Sequence, residues 1–194
     1  MEPHLPDPDL AVARRILGGY RAPDREQEEV RARILAFIDA HPEDAHLRSC
    51  LEGHLTASTM LMDHAGERVL LTLHRKLGLW LQLGGHCDGD ANLVGAALRE
   101  AQEESGIEGI EIDPEPLDLD IHRIPAYGPP GPEQVPAHLH LDTRFVAFAP
   151  RGAVEELSEE SIELRWFGLD ELEELGCDAS MLRAARRVTE RLHR

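Results

Sequence analysis

The sequence predicts an α/β protein in which helices sandwich a mixed β-sheet, and three observations carry that expectation. Strand-like stretches recur at 53–62, 68–74, 117–124 and 137–148, each rich in apolar or alternating residues. Segments with helical spacing and helix punctuation stand before, between and after them. No internal repeat is visible, so the chain is not a solenoid or propeller.

Leu10–Gly19 opens the helical part as a short amphipathic segment that Gly18 and Gly19 end. Asp24 is placed to cap a longer helix whose stripe is Val30, Ile34, Leu35, Phe37 and Ile38, with Pro42 beyond its end. Residues 1–50 therefore read as an N-terminal helical extension and 51–194 as the main domain. Packing of the extension on that domain, or across a homodimer, are both open. Gly53–Met62 and Arg68–His74 form a hairpin around the turn 63–67. A helix is expected from about Asn92 to Ser105, closed by Gly106. The strands at 117–124 and 137–148 pair across a loop, 126–137, that holds four prolines and two glycines. Arg165–Phe167 starts a last strand or turn, and Asp170–Leu175 reads as an acidic helical segment. Asp178 caps a C-terminal helix whose arginines suit the negative end of its dipole.

Length and composition set limits. The 194 residues with 42% apolar content suffice for a packed core, so a disordered chain is excluded. A net charge of −17 argues against nonspecific nucleic-acid binding and requires any anionic substrate to arrive with cations. No apolar run is long enough to cross a bilayer, and the N-terminus lacks the features of a signal peptide, so a soluble cytoplasmic protein without a membrane partner is expected. Cys50, Cys87 and Cys177 are widely spaced and odd in number, which fits neither a disulfide framework nor a thiolate zinc site.

The chemistry concentrates at 84–107. Glu100, Glu103 and Glu104 fall at i, i+3 and i+4 and share one helix face, where like charges repel. A hard divalent cation turns that repulsion into coordination, and the preceding Gly84-Gly85 turn lets backbone approach a ligand. A solvated acidic face is the plain alternative.

Gly85, five residues, Ala91, seven residues, then Arg99-Glu100-Ala101-Gln102-Glu103-Glu104-Ser105-Gly106-Ile107 resembles the box of the Nudix hydrolase superfamily, Gly-x5-Glu-x7-Arg-Glu-x-x-Glu-Glu-x-Gly. The resemblance covers 53–107 well and extends more weakly to about 175. It implies a Nudix-type α/β/α sandwich and cleavage, with Mg²⁺ or Mn²⁺, of a small molecule in which a nucleoside diphosphate is linked to another moiety. It also implies that Glu100, Glu103 and Glu104 are metal ligands, that Gly85 and Gly106 shape the turn and helix stop, and that Arg99 braces the loop. Ala91 departs from it, standing where the box has its first glutamate, with Asp88 and Asp90 beside it. Glu104, or Glu160 from a late acidic loop, is the candidate general base.

Other residues join as candidates. Arg75, Lys76 and Arg144 are cations able to hold a diphosphate. His86 follows the glycine turn. His138, His140 and Asp142 alternate and so project from one strand face. They suit either a second, transition-metal site, which His122 on the neighbouring strand could join, or substrate contacts. Two rival readings remain beside the hydrolase. His54 and His86 give a partial likeness to isopentenyl diphosphate isomerase, and Ala91 suggests a non-catalytic nucleotide-binding module.

Overall fold

The computed structural model describes residues 5–75, 77–129, 131, 134–158 and 161–193. Its elements run α1 (Leu10–Gly19), α2 (Arg25–Ala40), β1 (Gly53–Met62), β2 (Arg68–His74), β3 (Trp80–Leu81), β4 (Leu83–His86), α3 (Leu93–Ser105), β5 (Glu111–Ile112), β6 (Asp118–Ile124), β7 (His138–Phe148), β8 (Ser161–Gly168) and α4 (Ala179–Leu192). The sheet is mixed. β1 and β7 pair in parallel at its centre, and every other pairing is antiparallel.

Helix ends follow the side-chain chemistry. Asp9, Asp24, Asn92 and Asp178 each accept a backbone N–H as N-caps. Gly106 ends α3 in the left-handed conformation at φ 67°. Residues 169–176 form successive turns instead of the expected helix. The segment is short for a helix, and Asp170, Glu171, Glu173 and Glu174 crowd like charge onto it.

Alternation along β1 and β7 assigns the two sheet faces. Leu55, Ala57, Leu141 and Phe145 face one side and pack with Leu93, Ala96 and Ala97 of α3 and with Leu17, Ile34 and Ile38 of α1 and α2. The N-terminal helices thus share one core with the acidic helix. Gln27 fastens α2 further: its amide donates to the Leu119 carbonyl and accepts from the Leu119 N–H, both at 2.9 Å, as a neighbouring strand would.

The opposite face grades along its length. Met60 and Met62 of β1 and Val146 of β7 lie with Met181, Ala184 and Val188 of α4 in an apolar cluster. Next come Thr56 and Ser58, hydrogen-bonded to Asp142 at 2.9 and 2.7 Å. Beyond them are the histidines. The arginines of α4 do more than suit a dipole: Arg183 makes two hydrogen bonds to the fully buried Asp118, and Arg187 pairs with Asp118 and Asp24. Arg191 reaches Asp113 at 3.0 Å.

Candidate functional site

The glycine turn and the acidic face of α3 meet directly. A Cβ at Gly85 would overlap the Glu100 carboxylate, so a larger residue there would displace that side chain from the turn. Glu104 Oε2 accepts the Gly84 N–H at 2.8 Å. Arg99 donates through Nη2 to the His86 carbonyl at 2.9 Å and through Nη1 to Glu100 at 2.6 Å, with Glu103 3.4 Å away. One guanidinium therefore ties the β4 strand end to two of the three carboxylates. Burial raises the Glu100 carboxyl above its usual range, although Arg99 opposes this. The Glu103 side chain is 62% exposed and the Glu100 side chain 14%, so the trio spans from the turn to the surface.

Ala91 has a structural reason. It is fully buried in the cluster formed with α1 and α2, and its N–H donates to the Asp7 carbonyl at 2.6 Å. Asp90 Oδ1 accepts from the backbone N–H groups of Asp7 and Asn92. The N-terminal segment thus covers this position, where a glutamate charge would be buried. Asp88 turns outward, at φ 50°, and binds Arg48 through two hydrogen bonds of 2.5 and 2.6 Å. That pairing holds the Asp88 carboxyl below its usual range.

On the opposite sheet face the register gathers imidazoles from four strands. His54 of β1 stands beside His140 of β7, which stands beside His122 of β6. His86 of β4 lies 4.9 Å from both His54 and His140, ring centre to ring centre. His138 is 4.9 Å from His54 and 5.2 Å from His140. Arg48, Cys50, Leu51, His54, His86, Tyr127 and His138 line a cleft of about 160 Å³ with Val135 and Pro136. Burial lowers the ring pKa of His54, takes that of His86 down to about 4 and takes that of His140 down to about 2. The Cys50 backbone near His54 partly opposes its shift without making a well-aligned hydrogen bond.

Several expected site residues lie elsewhere. Asp142 shares a strand face with His138 and His140, yet Thr56, Ser58 and Arg144 occupy its carboxylate and it does not stand among the imidazoles. Arg144 is buried and spent on Asp142, on Ser180 at 2.9 Å and on Asp118 at 3.7 Å, so it is not a surface cation awaiting a diphosphate. Arg75 is exposed and donates to the Ser161 carbonyl at 2.9 Å, at the far end of β2. Lys76 and Glu160 fall outside the described residues. Arg48 was missed: it belongs to no motif, and only the fold sets it against Asp88 and the cleft. Cys87 is buried in the core and its thiol is pushed well up, so it is packed and protonated.

The mixed sheet covered by helices is a fold shared with solved hydrolase structures. A diadenosine tetraphosphate (Ap4A) hydrolase from C. elegans, in a binary complex, matches with a TM-score of 0.56 at 21% identity, over 72% of this chain and 97% of that one. A NUDIX-family hydrolase from Clostridium perfringens matches at 0.51 and 24%, over 70% and 96%. The NUDIX domain of Shewanella oneidensis NrtR, complexed with ADP ribose, matches at 0.50 and 20%, over 83% and 97%. The profile of the NUDIX domain matches residues 53–190, and the chain belongs to that family. No curated protein sequence matches it.

Proposed function

We propose that the protein is a divalent-cation-dependent hydrolase of a nucleoside diphosphate linked to another moiety, of the ADP-ribose or nucleotide-sugar kind. The observation that carries this reading is the contact of Glu100, Glu104 and the Gly84-Gly85 turn, braced by Arg99. The donor set fits a hard cation. Three carboxylates share one helix face, Arg99 pairs with two of them, and burial disfavours the charge of Glu100. Glu100, Glu103 and Glu104 would hold Mg²⁺ or Mn²⁺, which when bound supplies charge neutralisation and Lewis acidity toward a diphosphate.

The chain's own groups do the rest. Arg99 fixes the β4 end so that the carboxylates keep their spacing. Glu104, whose Oε2 accepts the Gly84 N–H, takes the proton of an attacking water. Glu160 is the alternative base. Arg48, balanced by Asp88, borders the cleft on the other sheet face. The burial of Cys87 in the core speaks against thiol-based isomerisation of an alkene. The ADP-ribose complex of NrtR makes ADP-ribose the first compound to try, with Ap4A beside it.

A phosphate-release screen with Mg²⁺ and Mn²⁺ over ADP-ribose, nucleotide sugars, dinucleoside polyphosphates and nucleoside triphosphates tests the reading. Turnover of a compound in the first two groups, lowered by on the order of 10²-fold or more in Glu103→Gln, is expected. Binding without turnover would make the protein a ligand-binding module, and an allylic diphosphate formed without hydrolysis would make it an isomerase.

A further inference from the structure

We propose that His54, His138 and His140 bind a transition-metal ion of the zinc class at the floor of the cleft, separate from the carboxylate site on α3. One nitrogen from each of the three rings lies within 4.8 Å of the others. A tetrahedral zinc with Zn–N bonds of about 2.0–2.1 Å sets its nitrogens roughly 3.4 Å apart, so small side-chain rotations close the site. His86 flanks the same space, its ring 4.9 Å from those of His54 and His140.

The hydrogen bonding points the same way. His54 is 4% exposed, and neither of its ring nitrogens has a partner; nor does Nε2 of His140. Buried polar atoms nearly always find one. His138 donates through Nδ1 to the Pro136 carbonyl at 2.8 Å, which leaves Nε2 with the lone pair a metal takes.

Charge and donor type separate the two sites. Gly85 touches Glu100 on one sheet face, while the next residue, His86, points to the other, so the sites sit back to back. Among the described residues the cation lining the cleft is Arg48, which is held by Asp88 and does not oppose an incoming ion uncompensated. Imidazoles without carboxylate favour zinc, copper, nickel or iron over magnesium, whereas the α3 carboxylates favour hard ions. Asp142 takes no part, being committed to Thr56, Ser58 and Arg144. This inference does not depend on the hydrolase reading.

The test uses the untagged full-length protein, stripped with a chelator and titrated with Co²⁺ and then Zn²⁺. About one Co²⁺ per chain should bind with the intense visible bands of a four- or five-coordinate nitrogen site, and Zn²⁺ but not Mg²⁺ should displace it. His54→Asn and His138→Asn, each shown to be folded by circular dichroism, should weaken Co²⁺ binding by at least about 10-fold, while Glu103→Gln binds as wild type. A wild-type spectrum that remains that of the hexa-aqua ion overturns the proposal. So does wild-type affinity in the folded histidine variants, or loss of the Co²⁺ bands in Glu103→Gln. Should a histidine variant not fold, the wild-type spectrum and its displacement by Zn²⁺ decide alone.

Discussion

Two polar regions lie on one face of the sheet, a few residues apart along β7, and they are built on opposite terms. Around Asp118 the charges answer one another. Arg183, Arg187 and Arg144 surround a fully buried carboxylate, and Arg187 also donates to Tyr20, which donates to Gln27. Only Nη1 of Arg144 lacks a hydrogen bond there, at 3.7 Å from Asp118. Around His54 and His140 the rings are buried and half-buried respectively, but their nitrogens face one another without donors to match. The first region is complete within the chain and knots α2, β6, β7 and α4 together. The second leaves buried ring nitrogens without hydrogen-bond partners among the described residues. The comparison teaches that burial of polar groups alone does not mark a site, whereas burial without partners does.

The sharpest way to break this comparison is to remove one charge from the complete region. Asp118→Ala leaves the buried guanidinium of Arg187 and its neighbours uncompensated and should destabilise the fold by roughly 3–5 kcal/mol, read by urea unfolding at neutral pH. A loss below about 1 kcal/mol would mean the network is not what holds α4 to the sheet.

A smaller effect is expected from acid. Burial alone would raise the Asp120 carboxyl, but the hydrogen bond from His122 and the charges of Arg144 and Arg183 hold it down to about 2, against an ordinary 3.8. The folded value is the lower one, so the unfolded chain takes up the proton first. Asp120 therefore contributes its full stability above about pH 4 and loses it as pH falls toward 2. His122, raised by the same bond, runs the other way and gives up its share as pH rises through its folded value. Urea unfolding of wild type and Asp120→Asn should differ most near pH 5 and converge only as pH falls below about 2.

The smallest change should come from the incomplete region. His54→Phe keeps a flat ring while deleting two nitrogens that have no partners, and in the metal-free protein it should shift stability by less than about 1 kcal/mol in either direction. A cost of several kcal/mol in the same urea experiment would show that His54 is satisfied after all.

Much of this was legible in the residues. The caps Asp24, Asn92 and Asp178, the glycine stop at 106 and the two hairpins stood as read, because each depends on neighbours within a few positions. The face shared by Glu100, Glu103 and Glu104 follows from helical spacing in the same way. The arginines of α4 were misread as partners of a helix dipole, since the sequence spacing from Arg183 and Arg187 to Asp118 gives no hint that they meet. Ala91 was read as a lost ligand. Its place beneath Asp7, Leu17 and Ile38 explains why a small apolar residue stands there.

The sequence by itself determined the helices, the strand alternation, the acidic box and the family, all of which are local patterns of spacing and side-chain type. Tertiary structure alone decided that Asp142 serves the arginine network while His54 and His86 take its place beside His138 and His140. The physical reason is strand register: which residues of β1, β4 and β7 stand side by side is fixed by long-range pairing and packing, and no spacing along the chain encodes it.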